Sequence, residues 1–109
     1  MNFIITTTEK IEGYNIVKTI SIARGSTVRA RNIGSDIFAG LKNIVGGEIS
    51  EYTKLLADSR EQAIERMIND AKNMGANAIV NVRFTTSTVM QGCAEILAYG
   101  TAIIIEPCS

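Results

Sequence analysis

The residue types able to do chemistry are few in this chain. Its 109 residues include no histidine and two cysteines, Cys93 and Cys108. Histidine is the side chain whose ordinary pKa lies near neutral pH, so a general base here would have to be a strongly shifted carboxylate, lysine or cysteine. No G-x-S-x-G elbow, Walker-type loop or paired-carboxylate motif occurs. The expectation is a protein that is not an enzyme.

Metal chemistry meets the same shortage. A closed site for zinc or another soft metal wants about four Cys or His ligands at local spacings. Cys93 and Cys108 are far apart in sequence, so one subunit cannot build a thiolate site from them. A symmetric oligomer could, by placing one cysteine of each subunit around an axis. Otherwise Cys93 is a small packing residue at a strand start and Cys108 a tail residue, and packing is the expectation for Cys93. No carboxylate run resembles a calcium loop.

Anion binding has three places to occur. Gly46 and Gly47 precede a helix whose N-terminus could hold an anion, but Glu48 would repel it, and a plain linker is the expectation for the glycines. A polar strand face carries Asn77, Asn81, Arg83, Thr85 and Glu95. In a monomer that face would simply be wet. In a ring it could form intersubunit salt bridges, or line an intersubunit cleft or central channel, with Arg83 as anion donor.

The third place is Arg60. At about 100° per residue it falls close to the centre of an apolar helix stripe, where an unpaired charge is costly to bury. Three outcomes compete: a helix break at Asp58-Ser59 that turns Arg60 outward, a snorkelling side chain that reaches Glu106, Asp36 or strand carbonyls, or a guanidinium that holds an anionic ligand. The expectation is a continuous helix with Arg60 largely buried and bonded. The candidate ligand-binding residues are therefore Arg60, Arg83 and Glu95, and the candidate metal ligands Cys93 and Cys108.

The elements that must position these residues emerge from periodicity. "NFIIT" reads as a short strand. "YNIVKTISIARG" reads as a longer one, with Tyr14, Ile16, Ile20 and Ile22 alternating against smaller polar residues. Gly25 and Ser26 bend it, and "TVRARN" resumes. "SDIFAGLKNIVGG" reads as a short amphipathic helix capped by Ser35 or Asp36.

The segment "EISEYTKLLADSREQAIERMINDAKNMG" is the clearest element. Ile49, Tyr52, Leu56, Ala63, Ile64, Met67, Ala71 and Met74 form one apolar stripe. Glu51, Asp58, Glu65, Asn69 and Asn73 lie opposite. Gly75 stands where a left-handed cap belongs. Unbroken, this helix is about 27 residues and ~40 Å long. Ser59 followed by Gln62 is a capping box that offers a break as the competing reading.

In "ANAIVNVRFTTST", Ala78, Val80, Val82 and Phe84 alternate with polar residues, as in a strand with one buried face. "VMQG" turns the chain into "CAEILAYGTAIIIE". There Ala94, Ala98, Gly100 and Ala102 make an unusually small face that would let a helix or another backbone approach closely. Strand, strand, helix, strand, strand argues a two-layer α+β domain with an antiparallel sheet, a single domain over residues 1–109.

Composition narrows the partners. Eleven basic residues balance eleven acidic ones, which argues against nucleic acid or a membrane surface. A neutral surface does little to resist self-association. The N-terminus lacks a basic n-region with a long apolar run, and "AIII" is far too short to span a bilayer. The expectation is a soluble, cytoplasmic protein with reduced thiols.

The runs "GGEISEYTKLLADSREQAIERMINDAKNMGANAIVNVRFTTS" and "EILAYGTA" resemble the YbjQ-like family of small bacterial and archaeal proteins, with "YTKLL", "GANAIVNVRF" and "AYGTA" as the most specific pieces. The family carries a heavy-metal-binding label, and its function is not established. The resemblance implies a dodecin-like α+β subunit, a curved antiparallel sheet crossed by one long helix. It implies a homopentameric ring in which short extra strands join neighbours. It gives Arg60 a structural role. The expected function is a non-enzymatic, ring-forming protein with possible heavy-metal binding by resemblance. The alternatives are a small-molecule or anion binder at intersubunit clefts and a purely structural scaffold.

Overall fold

A computed structural model describes residues 2–29, 47–90 and 93–108, of which 29, 47–56, 88–90 and 93–94 are described by their backbone alone. The short helix expected over residues 35–47, and Asp36 with it, lie outside the described residues. The elements run β1 (Ile4–Ile5), β2 (Tyr14–Arg29), α1 (Gly47–Asn73), β3 (Ala78–Met90) and β4 (Cys93–Pro107). The four strands form one sheet in the order β1-β3-β4-β2. β4 is antiparallel to both of its neighbours, while β1 runs parallel to β3. The sheet is therefore mixed, which corrects the wholly antiparallel expectation. A parallel partner needs a long crossover between strands, and everything from Thr6 to Asn77 supplies it.

α1 is continuous, as expected, and the break at Asp58-Ser59 does not occur. It ends as Gly75 takes φ +88°, with Gly75 N–H donating to the Lys72 carbonyl and Ala76 N–H to the Ala71 carbonyl, both at 3.0 Å. This is the Schellman pattern, which needs a residue tolerant of positive φ at that position. Ser59, Ala63, Met67 and Ala71 are fully buried, while Ile64, Ile68 and Met74 flank them. These buried positions recur every four residues.

α1 lies across β2 and β4 and barely reaches β3. Small residues make this contact close. Ala23, Ala98 and Ala102 are fully buried, and a Cβ on Gly25 would overlap the Met67 backbone N and the Ala63 carbonyl. The expectation that the small face of β4 admits a close neighbour holds, and β2 adds Gly25 to it. β2 itself passes through Gly25 and Ser26 in unbroken register with Ala98 and Leu97, so the expected bend there is absent.

Alternation in the strands is less simple than their residue pattern suggests. β2 has register shifts at Ile16/Lys18 and at Thr19/Ser21. Each extra residue moves the rest of the strand to the other face. Ile20 consequently packs against the helix core, while Ile22 lies paired beside Thr101 on the opposite face.

β3 has a bulge at Asn81, whose φ is +55°, a conformation Asn tolerates better than most residues. Before the bulge the strand is buried on both faces. Ile79 joins the helix-side core, and Ala78 and Val80 join a second cluster with Ile103 and Ile105. Ile4, Ile11 and Tyr14 cover that second cluster. The single buried face expected for β3 is thus two buried faces at its start.

Candidate functional site

The structure separates the backbones of the two cysteines. Cys93 opens β4, and Cys108 comes directly after its last residue, Pro107. At about 3.3 Å per residue the two backbones are ~50 Å apart. Cys108 is exposed, and its N–H donates to the Gly13 carbonyl at 2.8 Å. The side chain of Cys93 lies outside the described residues, and with it the packing role expected there. Among the described residues no three Cys, Asp or Glu side chains gather as a metal site would require. The donors of one chain do not fit a soft metal, because its thiols cannot share an ion across the length of a strand.

Arg60 is exposed, contrary to the expectation that it is buried and bonded. It makes no hydrogen bond or ion pair among the described residues, with Glu106 or with strand carbonyls. The reason is the slant of the contact line. Ser59, Ala63, Met67 and Ala71 form an i, i+4 ridge, inclined about 26° to the helix axis. Arithmetic at 100° per residue assumes a contact line parallel to the axis, and from Met67 back to Arg60 the ridge has already swung away. Ser59 is the buried residue at this level, and its carbonyl accepts a hydrogen bond from Thr27 Oγ1 at 3.1 Å.

The polar strand face divides as well. Arg83 pairs with Tyr99 and Thr85 with Leu97, on the face away from α1. Both are exposed, and Glu95 is half-buried on the same face. Arg83 Nη1 donates to the Thr7 carbonyl at 2.9 Å and to the Val82 carbonyl at 2.8 Å, so it fastens the N-terminal segment to β3. The Asn77 carboxamide bonds both ways to the Ile105 backbone, at 3.0 and 2.8 Å, extending the ladder to β4. Asn81 forms the bulge. Of the expected polar face, Arg83, Thr85 and Glu95 stay together, whereas Asn77 and Asn81 serve the backbone.

A cleft that periodicity does not single out lies at the outer edge of β2. Arg66, Asn69, Asp70 and Asn73 sit at i, i+3, i+4 and i+7 on α1, beside the apolar ridge. Together with Arg24 and Leu97 they line an open cleft of about 460 Å³. Among the described strands β2 lies at the sheet edge, and its outward backbone groups have no ladder partner there. Asp70 Oδ2 accepts the Arg24 backbone N–H at 3.0 Å, and Arg66 Nη1 donates to the Ser26 carbonyl. Side chains of the helix thus cap the strand edge. A polar i, i+3, i+4, i+7 stripe is visible in the sequence, but it reads equally as a wet helix face until the edge of β2 is placed against it.

The comparisons with known proteins agree on the family. Residues 3–106 match the model of the YbjQ family, described as "putative heavy-metal-binding". A UPF0145 protein of Methanosarcina acetivorans is 59% identical over 94% of this chain and 96% of its own. One from Thermus thermophilus is 46% identical over 98% of this chain and 94% of its own. A crystal structure of a protein of unknown function of the DUF74 family from Pediococcus pentosaceus shares the fold, with TM-score 0.61 and 17% identity over 94% of this chain and 96% of that one. The chain belongs to the YbjQ-like family of UPF0145 proteins.

Proposed function

We propose that this protein is a non-enzymatic, self-assembling cytoplasmic protein, a dodecin-like subunit with a curved sheet that closes into a homopentameric ring. One observation carries this: beyond the cluster that Ile4, Ile11 and Tyr14 cover, the sheet face away from α1 is bare among the described residues. Ile22, Val28 and Tyr99 are 65%, 54% and 37% exposed there, beside half-buried Leu97. The molecule measures 58 × 26 × 18 Å, because strands of up to 16 residues run its length and the helix covers only one side. Bulky apolar residues collected on one exposed face mark an interaction surface, and a second copy is the partner of matching chemistry. Balanced charge favours such association and disfavours nucleic acid or membrane. No helix among the described residues is long and apolar enough to cross a membrane.

The family's metal label enters only through this assembly. Since the backbones of Cys93 and Cys108 in one chain stand ~50 Å apart, a thiolate site would have to draw Cys93, or Cys108, from several copies around an axis. Light scattering and native mass spectrometry test the assembly. About five subunits are expected, and a clean monomer at micromolar concentration overturns both the ring and any shared thiolate site. Elemental analysis of untagged protein tests the metal, with no stoichiometric zinc or copper expected. A fixed metal ratio that Cys93→Ser abolishes would assign Cys93 as a ligand.

A further inference from the structure

We propose that the sheet face away from α1 carries an oxyanion site, in which a small phosphate or carboxylate is held between Arg24 and Arg83 above Tyr99 where two copies of the chain meet. Register builds the site. Tyr99 pairs with Arg24 on one side and with Arg83 on the other, and residues paired across a ladder share a face. Ala98 belongs to the core beneath α1, so the row through its neighbour Tyr99 faces away from the helix. Strands lie about 4.8 Å apart, which sets the two arginine backbones ~10 Å apart astride the tyrosine. All three side chains are exposed.

Positive charge on this row has no answer within the chain. Arg24 gives its backbone N–H to Asp70 at the strand edge, while its guanidinium has no hydrogen bond or ion pair among the described residues. Arg83 uses Nη1 on two carbonyls and has no ion pair among the described residues, which leaves Nε and Nη2 as donors. The rows on either side centre on Thr101 and Leu97 and hold no carboxylate. On this face of β4 the nearest one, Glu95, lies four residues from Tyr99, ~13 Å along the strand.

In an isolated chain both guanidinium groups stand in water, where the lack of a partner costs little. Covering the face changes that balance. A dehydrated guanidinium without a counter-charge is strongly unfavourable, and a paired one is held more tightly than in water. Exposed Ile22 and half-buried Leu97 surround the row with apolar surface, so a neighbour seated here excludes water at this point. Two planar donor forks match the oxygens of a phosphate or carboxylate. The anion thereby becomes part of the contact, and its supply governs how far the copies assemble.

This inference rests on the assembly of copies through this face, and one experiment separates the two. Light scattering follows a dilution series of the full chain while inorganic phosphate, or separately acetate, is titrated at constant ionic strength. Phosphate at ten times its Kd should lower the protein concentration of half-dissociation about tenfold, because a ligand bound only by the assembled state favours it by about 1 + [L]/Kd per site. The more effective of the two probes identifies the anion class. Arg24→Gln removes a side chain that makes no bond within the chain among the described residues. It should leave a response below about twofold, since half the charge holding the anion is gone. Without phosphate it should assemble more readily than the parent, having one charge fewer to bury. Lys18→Gln, ~20 Å further along β2, should keep the full response. A clean monomer at every phosphate and acetate concentration overturns the ring and this inference with it. An assembly indifferent to both anions overturns the inference alone, and if Arg24→Gln weakens that assembly, the counter-charge is a carboxylate of the neighbouring copy. Equal loss of response in Arg24→Gln and Lys18→Gln marks diffuse surface charge and overturns it too.

Discussion

The two faces of the β2–β4 ribbon are built from alternate residues of the same strands and treat side-chain size in opposite ways. On the helix side stand Ala23, Gly25, Ala98, Gly100 and Ala102, all buried. On the far side stand Ile22, Val28, Leu97 and Tyr99, none of them buried. A hydrophobicity scale would place the larger residues inside. Here, Ile96 apart, the smaller ones are inside, because the helix backbone rests almost directly on the strands, and close packing of main chain against main chain replaces interdigitated side chains. Outside the cluster where Ile4, Ile11 and Tyr14 cover Ile103 and Ile105, the larger residues of the far face are left for another surface to cover. Burial in this chain is decided by how near the next element comes, and only then by what each residue would prefer.

The contrast can be broken most sharply at Gly25. Gly25→Val would drive a branched side chain into the backbone at Met67 and Ala63. It should cost about 3 kcal/mol or more, read as a fall in the urea midpoint or failure to fold. A small loss would mean that the helix can lift off the sheet. Met67→Ala, at the centre of the buried ridge, comes next. It should cost about 2–5 kcal/mol through transfer and cavity terms, with the m-value unchanged.

On the bare face the same kind of change should read out differently. Ile22→Lys should shift subunit stability by only about 0.5 kcal/mol, while native mass spectrometry shows the oligomer weakened or lost. A variant that remains fully assembled would remove this face from the interface. The smallest effect is expected at Arg60. Arg60→Leu should stay within about 0.5 kcal/mol of the parent by thermal melting, because the side chain is exposed and makes no bond among the described residues. A loss of several degrees would restore a structural role to it.

Much of the helix is legible in the sequence. The 27-residue length, the cap at Gly75 and the burial of Ala63, Met67 and Ala71 all arise from local pattern and backbone chemistry. Arg60 shows where that legibility stops. Its placement depends on the angle at which the helix crosses the strands, and no residue of the helix encodes that angle alone. The cleft shows the same limit from the other side. Arg66, Asn69, Asp70 and Asn73 resemble ordinary solvent-facing residues because the edge of β2 that meets them comes from about 40 positions or more earlier in the chain.

The strands divide in the same manner. Sequence by itself determined that four apolar runs surround one long amphipathic helix, that the last strand has a small face, and that no local cluster of Cys or His exists to hold a metal. Those are properties of neighbours in the chain, governed by periodicity and by the chemistry of single side chains. Tertiary structure decided that β1 lies parallel to β3, that bulges at Ile16/Lys18, Thr19/Ser21 and Asn81 reassign which residues face the helix, and that Cys93 and Cys108 end at opposite ends of β4. A one-residue bulge costs little locally yet inverts every position beyond it. Only the fit of the strands against one another and against α1 fixes where it falls.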